Sequence, residues 1–128
     1  MNPLHVVQPV SILLVAAGGA IGCVLRFLTI NAIARLNPTI FPLGTMAVNV
    51  IGSMLIGVAL AKYGHVGNAR AFFVTGILGG YTTFSAFSWD AMGLLHRGQY
   101  GDAVLYIGGS VALSLAAVML GFTLTRAI

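Results

Sequence analysis

The sequence contains no glutamate, and its 128 residues hold only two carboxylate side chains, Asp90 and Asp102. Charged residues of both signs make up 6% of the chain, against roughly 25% in an ordinary soluble domain. Six basic and two acidic side chains cannot cover a domain of this size, so a normal water-facing surface is excluded. Cysteine is limited to Cys23, which excludes an internal disulfide and a thiolate metal site and leaves a small hydrophobe. A basic stripe is also missing. The net charge is +4 and the pI 9.9, but the Lys and Arg residues stand singly between apolar blocks, which argues against nucleic acid as a partner. His5, His65 and His96 are too scattered to share a metal. No nucleophile has a base at useful spacing, so the chain does not read as an enzyme.

What is abundant is apolar sequence, 59% of the residues. A bilayer span takes about 20 mostly apolar residues, so the length accommodates four spans in one small domain over residues 1–128. The spacing predicts helix 1 over 9–30, uncharged as far as Leu25 and running through Arg26, and helix 2 over 44–61. Pro38 and Pro42 break the chain between them. Helix 3 is expected over 71–89 and helix 4 over 103–125, with a polar loop over 95–102. Helix 1 is N-terminal, but no Lys or Arg precedes it and further spans follow, so it reads as a retained span and not a secretion signal. Gly76, Gly79 and Gly80, followed by Tyr81-Thr82-Thr83, form a run of weak helix formers inside helix 3 and predict a break there. In hydrocarbon such a break is tolerated only where its freed backbone groups face protein or a wet cavity.

Four spans put Lys62, Arg70 and Arg126 on one side of the bilayer and Arg35 and Arg97 on the other, with Arg26 near the end of helix 1 closing the gap. The Lys and Arg bias that orients a membrane protein is therefore almost nil. A chain without a preferred orientation is expected to insert both ways and to pair as an antiparallel homodimer.

Thr45, Asn49 and Ser53 recur at four-residue spacing on helix 2, as do Tyr106, Ser110 and Ser114 on helix 4. Each set forms one polar stripe along an apolar helix. Such stripes serve either as hydrogen-bonded contacts between helices or as the lining of a polar path. Phe84 and Phe87, three apart, put two rings on one face beside Ser85 and Ser88. They serve either as core packing or, through the positive ring edge, as contacts for an anion. A cation path or proton-coupled exporter normally requires an intramembrane carboxylate, and both acids lie at or beyond span ends. The anion alternative gains by that elimination. Gly18 with Gly22 and Gly76 with Gly80 form small-xxx-small pairs suited to close helix packing.

Three blocks can then be set together: Gly18-Gly19-Ala20-Ile21-Gly22-Cys23-Val24-Leu25-Arg26, Gly44-Thr45-Met46-Ala47-Val48-Asn49, and Gly79-Gly80-Tyr81-Thr82-Thr83-Phe84-Ser85-Ala86-Phe87-Ser88. In order and spacing they resemble the signature blocks of the Fluc/CrcB family of fluoride-specific channels. The resemblance implies an all-α membrane protein of four transmembrane helices, the third broken mid-span, assembled as an antiparallel dual-topology homodimer with two narrow pores. It further implies passive fluoride efflux across the bacterial inner membrane, relieving fluoride toxicity.

Carried over by motif, Phe84 and Phe87 resemble the stacked pore rings and Asn49 the amide that projects into the pore. Tyr106, Ser110 and Ser114 resemble the polar track, with Thr83 beside it, and Arg26 a vestibular or structural arginine. The family also implies a structural sodium ion, not transported, held by backbone carbonyls that would here be those of Gly79 and Thr82. Ala86 and Asp90 depart from the commonest family residues, threonine and glutamate. A dual-topology exporter of small cationic drugs is the rival, matched in size and charge balance but lacking its membrane glutamate. A non-transporting assembly subunit is a third alternative.

Overall fold

A computed structural model describes residues 7–64 and 67–128; His5 and His65 lie outside this range. Among the described residues every regular element is a helix. Helix α1 runs Pro9–Leu36, α2 Leu43–Tyr63 and α5 Tyr100–Ala127. These three are long and apolar enough to cross a membrane. Between α2 and α5 the chain is helical in pieces: a π-helix over Arg70–Leu78, a single α-turn α3 over Gly79–Tyr81, and α4 over Phe84–His96.

The helices outrun the apolar blocks that announce them. Helix α1 continues past residue 30 to Leu36, and Thr29 and Asn31 return their side-chain donors to the carbonyls of Leu25 and Phe27. Polar side chains satisfied in this way do not end a helix. Helix α4 reaches His96, not 89, and the loop expected over 95–102 shrinks to residues 97–99. Gly98, at φ +71°, makes that tight reversal possible.

Glycines set the packing. A methyl group on Gly22 would collide with the carbonyl of Ile77, one on Gly18 with Phe72 and Gly76, and one on Gly80 with Gly19. Helix α1 and the π-helical segment therefore lie backbone against backbone, as the paired glycines lead one to expect. Helices α2 and α5 make the second such seam, where Gly57 faces the Val118 carbonyl and Gly121 the Met54 carbonyl. A small core of Phe87, Ala91, Leu94, Ala103 and Tyr106 joins α4 to α5. The outward faces remain apolar, with Leu13, Phe27, Leu115 and Met119 all exposed. Helices apolar on their outer faces as well as their inner ones belong in lipid.

Candidate functional site

The break falls at Thr82 and Thr83, whose backbones are extended (φ −82°, ψ 156° and φ −152°, ψ 122°). The glycines before it do not make it. Gly79 is in ordinary right-handed helical geometry, and positive φ occurs among the described residues only at Gly64, Gly67 and Gly98. Of the run of weak helix formers that predicts the break, the two threonines and not the glycines carry it. Thr82 closes the first half by donating both its N–H and its hydroxyl to the Leu78 carbonyl, each at 3.0 Å. Thr83 opens the second half as the N-cap of α4, its Oγ1 accepting from the Ala86 N–H at 3.2 Å.

Two extended residues release backbone groups from the helical ladder, and the neighbouring helices satisfy them. In an unbroken helix the Thr83 N–H would reach the Gly79 carbonyl; here it donates to Asn49 Oδ1 at 2.8 Å. Asn49 Nδ2 donates in return to the Thr83 carbonyl at 2.9 Å. The Thr82 carbonyl, deprived of the Ala86 N–H, accepts from Arg26 Nη1 at 3.1 Å. Arg26 therefore caps the break from α1, and Asn49 clamps it from α2. Spacing puts Asn49 on a polar stripe of helix 2; that its partners are backbone atoms 34 residues away is not visible in the sequence.

Beside the break lies an open groove of about 320 Å³. Asn49 and Ser53 contribute from α2, Thr82 and Thr83 from the break, Phe84 and Phe87 from α4, and Ser110 and Ser114 from α5. The two polar stripes thus converge on one cavity. Its lining carries amide, hydroxyl, aromatic and, at Val111 and Leu115, aliphatic groups but no ionisable group. The N-terminus of α4 opens onto it, adding the positive end of a helix dipole. The Ser110 hydroxyl is buried there without a hydrogen-bond partner among the described residues, an expensive state for a polar group unless something else bonds it. The rings of Phe84 and Phe87 lie 5.5 Å apart at 40°. Phe87 is buried, whereas Phe84 is 77% exposed at the open side.

Tyr106 departs from the expected set, because it does not line the groove. It is fully buried behind Phe87, ring centroids 5.2 Å apart, and edge-on to Phe41. Its hydroxyl donates to Asp90 Oδ2 at 3.3 Å and meets Thr45. The upper ends of both stripes therefore turn away from the groove into a buried polar contact. Ser53 lines the groove although it was singled out only as a stripe member.

No cluster of His, Cys, Asp or Glu able to hold a metal occurs among the described residues. Backbone carbonyls at the break are the alternative, and two observations fit a hard cation there. The Gly79 carbonyl has lost its helical donor to Asn49. Gly79 is also exposed, and a methyl group on it would meet only the Val74 carbonyl at 3.6 Å, so its face is open.

A family profile described as "CrcB-like protein, Camphor Resistance (CrcB)" matches residues 13–122. A protein of Cereibacter sphaeroides named "Fluoride-specific ion channel FluC" is 53% identical over 117 residues, covering 91% of this chain and 94% of that one. Proteins of the same name from Rhizobium meliloti (51% over 121 residues, covering 91% of this chain and 96% of that one) and Ruegeria sp. (47% over 122 residues, covering 93% and 97%) are similar along nearly their whole lengths.

Proposed function

The chain belongs to the CrcB-like family, and from that membership we propose how it works: it is a multi-pass integral membrane protein and a fluoride-specific ion channel, not an enzyme. Fluoride crosses passively, driven by its own gradient and the membrane potential, so no bond is made or broken.

The difficulty such a channel must solve is dehydration. Burying a bare ion of carboxylate size in a low-dielectric interior costs on the order of 20 kcal/mol by the Born estimate, and fluoride is smaller. Ligands must replace water without interruption. The observation that carries the reading is the convergence of both polar stripes and the two phenylalanines on one groove without ionisable groups. Ser53, Ser110 and Ser114 supply hydroxyl donors, and the unpartnered Ser110 hydroxyl is free to give its proton to an anion. Asn49 has a second Nδ2 proton beyond the one bonded to Thr83. The edges of Phe84 and Phe87 add partial positive charge without the grip of a fixed cation. Several weak sites let an ion leave as readily as it enters. Tyr106 acts one layer back, supporting Phe87 and holding Asp90.

One protomer makes half of a conduit. The groove is open along the side where Phe84 stands exposed, and the near-zero charge bias between the two membrane faces supports a second copy inserted in the opposite sense. An antiparallel homodimer would close each groove and bring the two breaks together. The segment 70–96 is then the third of four membrane crossings. The carbonyls of Gly79 and Thr82 would hold a sodium ion, whose positive charge would offset the carbonyl dipoles freed at the break.

Fluoride release from liposomes containing the purified protein, read with a fluoride electrode and with chloride as the control anion, tests the reading. Rapid fluoride release with little chloride release is expected; retention of both ions by well-folded protein would refute it.

A further inference from the structure

Arg26 touches the same oxygen that the sodium reading assigns to a cation. Its Nη1 donates to the Thr82 carbonyl at 3.1 Å. The guanidinium is otherwise poorly compensated: Nη2 meets only the weak acceptor Cys23 Sγ, at 3.8 Å, and no ion pair to Arg26 occurs among the described residues. Its position is fixed from behind, because Gly18 and Gly22 lock α1 against the π-helical segment leading into the break. Among the described residues no cluster of His, Cys, Asp or Glu side chains stands ready to offset a second cation.

We propose that Arg26 is a specificity-determining residue for the ion at the break, restricting that site to a monovalent cation. The inference rests on the sodium reading above and extends it to the ion's charge. An ion bound to the Thr82 carbonyl lies no more than two short contacts from the guanidinium. Repulsion between them scales with the ion's charge, so a divalent ion feels twice the penalty of a monovalent one. Attraction to the neutral carbonyls doubles as well, but the cost of stripping water from the ion rises more steeply with its charge, so the added repulsion is left uncompensated for a divalent ion. A hydrogen bond from Arg26 also withdraws negative potential from the oxygen, to the same effect.

The test is thermal unfolding of the purified protein in detergent, titrated with sodium chloride or calcium chloride at constant ionic strength. The quantity read is the ratio of half-saturating calcium to half-saturating sodium. Arg26→Gln should lower that ratio by about tenfold or more, while Arg26→Lys, which keeps the charge, should leave it near the wild-type value. Cys23→Asp gives an independent arm. It sets a carboxylate beside Nη2, neutralises the charge while sparing the bond to Thr82, and should lower the ratio as well. Equal ratios in wild type, Arg26→Gln and Cys23→Asp would overturn the proposal, as would a fall in Arg26→Lys as large as in Arg26→Gln. If neither cation stabilises the wild-type protein, the sodium reading itself fails, and this inference falls with it.

Discussion

Asn49 and Thr83 are joined edge to edge: the side-chain amide of one accepts from the backbone N–H of the other at 2.8 Å and donates to its carbonyl at 2.9 Å. The pair reproduces a rung of a β-ladder, with a side chain standing in for a strand. A break in a membrane helix needs such a partner, since no water is available to its free groups.

Replacing Asn49 by Ala should therefore cost about 1–3 kcal/mol, because the Thr83 N–H loses its partner and the Thr83 carbonyl, which also accepts within α4 as its N-cap, loses a second donor. Asn49→Asp keeps the acceptor, loses the donor and adds negative charge to the groove. It should fold more stably than Asn49→Ala yet pass less fluoride. Thermal unfolding in detergent together with liposome flux separates the two effects.

Ser110→Ala gives the opposite pattern. The hydroxyl has no partner among the described residues, so its removal should change stability by less than about 1 kcal/mol. Fluoride flux should nonetheless fall by about tenfold, a loss of roughly 1.4 kcal/mol from the barrier side. A destabilised variant with full flux would assign Ser110 to helix packing.

The two phenylalanines should part company in the same assays. Phe87 packs against Tyr106 in the core, and Phe87→Ile should cost about 1 kcal/mol of stability. Phe84 is exposed in the protomer, so Phe84→Ile should leave the protomer fold within about 0.5 kcal/mol of wild type. Both should abolish fluoride throughput. Unchanged flux in folded Phe84→Ile would remove the ring from the path.

Gly22 and Gly79 make a third contrast. A methyl group on Gly22 collides with the Ile77 carbonyl, so Gly22→Ala should cost about 1–3 kcal/mol and disturb the α1 seam. At Gly79 the space is open and the backbone helical, and Ala there should be neutral or slightly stabilising to the protomer. If Gly79→Ala loses flux or dimer despite a sound protomer, the cause lies in what approaches Gly79 from outside. Size-exclusion chromatography with flux makes the comparison.

Much of this architecture is legible from spacing alone. Four-residue intervals brought Asn49, Ser110 and Ser114 to a single cavity because a helix face is a fixed period. The same rule misled at Tyr106, since the stripe says nothing of where a neighbouring helix ends and Phe87 covers it. The break falls at the threonine end of the run of weak helix formers that announced it, while the glycines of that run serve as contact surfaces, as their pairing at four-residue spacing suggests. Long-range partners were hidden altogether. That Arg26 reaches Thr82, 56 residues away, depends on how α1 docks, and no local pattern encodes it.

The π-helix over Arg70–Leu78 makes the chain's length a functional variable. Its hydrogen bonds skip one residue further than in an α-helix, so the segment holds a surplus that a single deletion would eliminate. Reversion to α geometry without that deletion would rotate everything downstream by about 100°. Gly80 would then leave Gly19, and Thr83 would no longer face Asn49. Loss of the surplus residue would leave the two halves of the span in register, whereas a return to α geometry at unchanged length would throw them out of phase.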